Sequence, residues 1–113
     1  MGAGQSVLGT SYFYLANSYD NLYKPARKGE AENDGFLTKA VEQYKLASER
    51  ASDPNIKKLS MQYLVAAYDS DKLNDPTQQE PIVLQMIQMD PTDTSNYFAL
   101  AKIYEDKIGR AHV

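Results

Sequence analysis

One pattern occurs three times in this chain: Tyr12-x-x-Leu15-Ala16-x-x-Tyr19, Met61-x-x-Leu64-Val65-x-x-Tyr68 and Tyr97-x-x-Leu100-Ala101-x-x-Tyr104. Intervals of three, four and seven residues place side chains on one face of an α-helix, so each copy marks a helix. Two intervening segments end alike, in Asp53-Pro54 and Asp90-Pro91. The chain therefore alternates between two helix types, which is the mark of a fold built from repeated units.

Five helical segments follow from this reading. The first is expected over about residues 6–24, with Leu8, Tyr12, Leu15, Tyr19, Leu22 and Tyr23 as its packing stripe, and Pro25 stops it. A polar loop over 24–35 follows, and Asp34 is expected to cap a second helix that buries Leu37, Ala40, Val41, Tyr44, Ala47 and Ala51. Asp53 and Pro54 start the third helix, which is apolar nearly all round from Met61 to Tyr68 and is expected at the centre of the domain. Thr77-Gln78-Gln79-Glu80 reads as a capping box for the fourth helix, with Pro81 in its first turn. The fifth is expected over about 94–107.

These three copies resemble the tetratricopeptide repeat, whose signature is W-x2-L-G-x2-Y, then A-x3-F, then a closing proline. Tyr12 and Tyr97 stand at the tryptophan, Ala16 and Ala101 at the glycine, and Ala40-x-x-x-Tyr44 matches the second half. The resemblance spans about residues 10–105. It implies an all-α fold of about five helices, with antiparallel helix-turn-helix repeats stacked as a short right-handed α-solenoid. One domain over 1–107 would hold two full repeats and the first helix of a third. Met61 to Tyr97 fits the family period of about 34 residues, whereas Tyr12 to Met61 exceeds it by about 15. The tail 108–113 fits no repeat and reads like translated sequencing adapter, so it is expected to be a scar on a protein that continues with more repeats. The outer face of the fifth helix, with Ile103, is expected to be apolar and offers a route to homo-oligomers.

In this family the first helix of each repeat lines a concave groove that holds a peptide. Carried onto this sequence, that implies a partner-binding face made by Phe13, Asn17, Asp20 and Asn21, by Gln62, Ala66 and Asp69, and by Phe98, Lys102 and Glu105. The alternative is an ordinary solvated face with two aromatics partly buried. Asn17 matches an asparagine of the members that clamp a carboxylate, but Phe13 stands where a clamp lysine belongs, so that activity is not carried over. Asp20, Asp69 and Glu105 against Lys102 favour a neutral or basic peptide.

Composition narrows the other classes. Of 113 residues 42% are hydrophobic and 24% charged, enough for a packed core. A net charge of -3, with Lys24, Arg27 and Lys28 as the basic cluster, argues against a nucleic-acid partner. The absence of cysteine excludes disulfides and thiol chemistry. No apolar run is long enough to span a bilayer, and a cytoplasmic location is expected if Met1 is the true start. Met1 to Ser6 fits the loose N-myristoylation pattern, but no basic stretch follows it. Asp69 to Glu80 partly resembles a calcium loop, broken at Leu73 and Asn74. No catalytic constellation is found, the one histidine being His112 in the tail, and no metal or cofactor is expected. The function expected is a protein-interaction scaffold. The alternative is an accessory or dimerisation segment of a larger multidomain enzyme or envelope-assembly protein.

Overall fold

The computed structural model of the protein describes residues 2–111, with side chains over 8–109; Met1, His112 and Val113 lie outside the described residues. Every regular element described is helical. The order is α1 (Gly2–Leu22), a 3-10 turn (Pro25–Arg27), α2 (Ala31–Arg50), α3 (Pro54–Ala67), α4 (Pro76–Met89) and α5 (Thr94–Ala111). The chain divides into two compact units, Met1–Ala67 and Tyr68–Val113.

In the first unit α1 packs along α2, α2 along α3, and α1 touches α3. The α2 stripe is the one the sequence indicates as far as Ala47: Leu37, Ala40, Val41, Tyr44 and Ala47 are buried, whereas Ala51 stands at the C-cap and is half-buried. On α1 the buried line is shifted by one position. Gly9, Phe13, Ala16 and Tyr23 are buried, while Leu8, Leu15 and Leu22 are exposed. Small residues decide this. A Cβ on Gly9 would stand 2.5 Å from the Ala51 Cα, so the two helices meet there backbone to backbone. Ala16 permits the same approach in mid-helix, and a leucine-bearing face would hold α2 farther off.

Helix α2 starts earlier than expected. Glu30, not Asp34, stands at its N-cap, and Glu32 and Asp34 lie in its first turn, where carboxylates suit the helix dipole. Asp34 instead accepts hydrogen bonds from the Gly29 amide at 3.1 and 3.0 Å, closing a turn in which Gly29 has a φ of 102°. The buried Asn33 fixes the same turn. It accepts from the Lys24 amide at 2.7 Å and donates to the Lys24 carbonyl at 2.9 Å.

Asp53 starts α3, its carboxylate accepting from the Asn55 amide at 2.9 Å. The helix is not surrounded on all sides. Ser60, Met61, Leu64 and Ala67 are buried, whereas Leu59, Gln62, Tyr63 and Ala66 are exposed. Its apolar residues extend past the stripe that packing on α2 can cover.

In the second unit α4 packs on α5. Asp75 caps α4 by accepting from the Gln78 amide, and Pro76 takes the first turn, so Thr77 lies inside the helix rather than at its cap. Pro81 sits within the helix, past the first turn. It is exposed, as is Thr77, whose carbonyl Pro81 cannot reach with a hydrogen bond. Asn74 closes the preceding loop with a left-handed φ of 54°. Its amide donates to the Asp69 carbonyl at 2.8 Å. Asp93 caps α5 by accepting from the Ser95 amide at 3.0 Å. The helix runs past Lys107 through the expected tail to Ala111. Ile103, expected outside, is buried; the large exposed apolar residues of α5 are Tyr97, Phe98, Tyr104 and Ile108.

Candidate protein-interaction surface

The ten residues expected to line a groove fall into two groups, one in each unit. Phe13, Asn17, Asp20, Asn21, Gln62 and Ala66 belong to the first unit, and Asp69, Phe98, Lys102 and Glu105 to the second.

In the first group, Phe13 is a core side chain at 6% exposure. Its ring lies 6.1 Å from Tyr44 and 6.0 Å from Tyr63, centre to centre. The Tyr44 and Tyr63 rings stack at 5.1 Å with 6° between their planes. Asn17 and Asp20 are half-buried because they serve Tyr44, whose hydroxyl lies 2.7 Å from the Asn17 Oδ1 and 3.1 Å from an Asp20 carboxylate oxygen. That hydroxyl has one proton to give to these acceptors. Burial first, and the Asp20 charge after it, push the Tyr44 phenol far above its usual range. Phe13, Asn17 and Asp20 thus hold α1 to α2. The exposed members are Asn21 on α1 and Gln62 and Ala66 on α3.

Two exposed aromatics not singled out in the sequence join them. Tyr14 is 61% exposed, its ring edge-on to Phe13 at 5.7 Å, and Tyr63 is 41% exposed, its ring 6.0 Å from that of Phe13. Tyr14, Asn21, Gln62, Tyr63 and Ala66 make an aromatic and polar surface carried by α1 and α3. Asp20 is the only charged residue of the six expected in this unit. Tyr14 lies one position beyond the expected face. The signal that could have found it is Gly9 and Ala16, which turn α2 onto the neighbouring face of α1.

In the second group Lys102 and Asp69 neutralise each other, the ammonium donating to the carboxylate at 3.0 Å. Burial raises the Asp69 carboxyl, but Lys102 and the Ser70 amide outweigh it and leave it below the usual aspartate range. The same contact holds Lys102 above the usual lysine range. Phe98 is 75% exposed and Glu105 is exposed. On the other side of α5, Lys107 pairs with Glu80 of α4. The Lys107 contact comes first and a hydrogen bond from Tyr104 second in lowering the Glu80 carboxyl.

A cavity of about 190 Å³ lies between the end of α1 and the start of α2, lined in part by Leu22, Asn33 and Phe36. Its Arg27 and Glu30 pair with each other at 2.9 Å. Among the described residues no three His, Cys, Asp or Glu side chains converge as a metal site would require, and no helix is long and apolar enough to cross a membrane. No family model, curated protein or solved structure matches the chain.

Proposed function

We propose that this chain is a protein-interaction scaffold of the tetratricopeptide type, without catalysis of its own, which holds a peptide against α1 and α3 of the Met1–Ala67 unit. The right-handed stacking of helix pairs implied by that family is part of the proposal. The observation that carries it is the pair of exposed rings, Tyr14 and Tyr63, beside the buried Phe13. Exposed tyrosines seated on a fixed core give a partner broad apolar contact at little entropic cost, and their hydroxyls fix its orientation. Asn21 and Gln62 supply amides for a peptide backbone, and Asp20 inclines the surface to neutral or basic segments.

The test is a peptide array probed with the chain and with Tyr14→Ala and Ala66→Arg. Both changes sit on the surface, unlike changes at Phe13 or Asn17, which would loosen the core. A loss of about ten-fold or more in each is expected. Binding unchanged in both variants would remove this surface from consideration. Affinity for a basic peptide should weaken as salt rises. The alternative, an accessory or dimerisation segment, draws on a separate observation, the exposed apolar side of α5.

A further inference from the structure

The repeated pattern sets α1 and α5 in register: Tyr12 with Tyr97, Ala16 with Ala101, Tyr19 with Tyr104. Extending the register pairs Phe13 with Phe98, Asp20 with Glu105 and Tyr23 with Ile108. On α1 this face lies under α2. On α5 the same face is open. Phe13 is 6% exposed and Phe98 75%; Tyr23 is 5% exposed and Ile108 58%. Ala16 is fully buried, and Ala101 is exposed. α5 packs on α4 through another side, which includes the buried Ile103. It therefore carries one half of the α1–α2 interface with no described helix upon it.

We propose that this face of α5 binds an antiparallel amphipathic helix of the α2 type, with an alanine–tyrosine–alanine stripe flanked by two cations. The first unit shows what each position receives. Ala16 admits the close approach of α2, and Ala101 is as small. The Lys39 ammonium lies over the Tyr19 ring at 5.6 Å and the Arg50 guanidinium over the Tyr12 ring at 5.9 Å, so Tyr104 and Tyr97 each offer a cation a ring face. The Asp20 carboxylate lies 3.1 Å from the Tyr44 hydroxyl oxygen, and Glu105 offers the same carboxylate to a partner tyrosine. Phe98 and Ile108 supply the apolar area that Phe13 and Tyr23 bury against α2. This surface is independent of the α1–α3 surface proposed above.

The probe is a labelled peptide with the sequence of residues 31–50, made helical by a lactam between Lys45 and Glu49, which are exposed on α2. It is titrated into the whole chain and followed by anisotropy, with sedimentation of the chain alone beside it. Saturable one-to-one binding is expected, weakened about ten-fold or more by Ala101→Arg and by Phe98→Ala, and unmoved by Tyr14→Ala. Ala101 is exposed, so the arginine leaves the fold intact, which the far-ultraviolet spectrum verifies. Failure of the peptide to bind overturns the proposal. So does binding that survives Ala101→Arg, which would mean that the peptide displaces the chain's own α2. Self-association of the chain that Ala101→Arg abolishes would make a second copy the occupant and overturn it equally.

Discussion

The Tyr44 hydroxyl donates to the Asn17 Oδ1 at 2.7 Å and so ties α2 to α1 at mid-length, with the Asp20 carboxylate 3.1 Å from the same oxygen. Tyr44→Phe keeps the ring stack on Tyr63 and leaves two acceptors without that donor. Both are half-buried and reach water in part, so the loss should fall near the low end for such bonds, about 1 kcal/mol. A lower urea midpoint with an unchanged slope would record it.

The same phenol makes the first unit sensitive to alkali. Its folded pKa is raised by burial and by Asp20, so its contribution is complete below the ordinary tyrosine value of about 10 and is lost as pH rises above it. Urea midpoints collected from neutral pH upward should fall more steeply for the parent chain than for Tyr44→Phe. Parallel profiles would rule out this linkage.

Gly9→Ala sets two effects against each other. Alanine favours a helix over glycine by about 1 kcal/mol. The new Cβ, however, would meet the Ala51 Cα at 2.5 Å and its amide nitrogen at 2.7 Å, and backbone cannot swing aside. Overpacking costs about 1–3 kcal/mol, so the substitution should destabilise on balance. Faster amide exchange at both ends of the α1–α2 pair is the expected signature, and an unchanged or higher melting temperature would contradict it.

Pro81→Ala should strengthen α4. A proline inside a helix costs about 3 kcal/mol, and its rigidity in the unfolded chain returns about 1. With Thr77 open to water, a gain of about 1–2 kcal/mol remains, read as a higher unfolding temperature and slower exchange in α4.

Asp69 carries a lowered folded pKa, so its pairing with Lys102 contributes fully above the ordinary aspartate value of about 3.9 and is lost as pH falls through the folded one. Lys102→Met should move the Asp69 carboxyl carbon titration in NMR upward. High salt should do the same in the parent chain, because the pair is partly exposed.

Much of this fold is legible in residue spacing alone. The α2 stripe as far as Ala47, the Asp53 cap and the start of α3 follow from periodicity and capping chemistry. The face of α1 does not, because its apolar side, from Leu15 and Leu22 through Tyr12 and Tyr19 to Phe13, is wider than one packed helix covers, and period alone cannot choose within it. Gly9 and Ala16 chose, by admitting a neighbouring backbone. The starts of α2 and α4 lie ahead of Asp34 and Thr77 for separate reasons: the Asp34 carboxylate is taken by the Gly29 amide, and Asp75 caps α4 two residues before Thr77. The groove residues divided because spacing tells which residues share a face, not which helix lies over it. Phe13, Asn17 and Asp20 do share a face, and α2 occupies it, leaving Tyr14 and Tyr63 to meet solvent.

The Asn33 clamp on Lys24 has a consequence for how the chain is cut. Arg27 and Lys28 put sites for a trypsin-like protease in an exposed turn, which would ordinarily be nicked first, whereas the bond after Lys24 is shielded by Pro25. Here the Asn33 amide grips both backbone groups of Lys24 and Asp34 holds the Gly29 amide, so the segment must let go at both ends before it can enter a protease cleft. The turn should resist digestion while the first unit stays folded, and Asn33→Ala should make it the earliest point of scission.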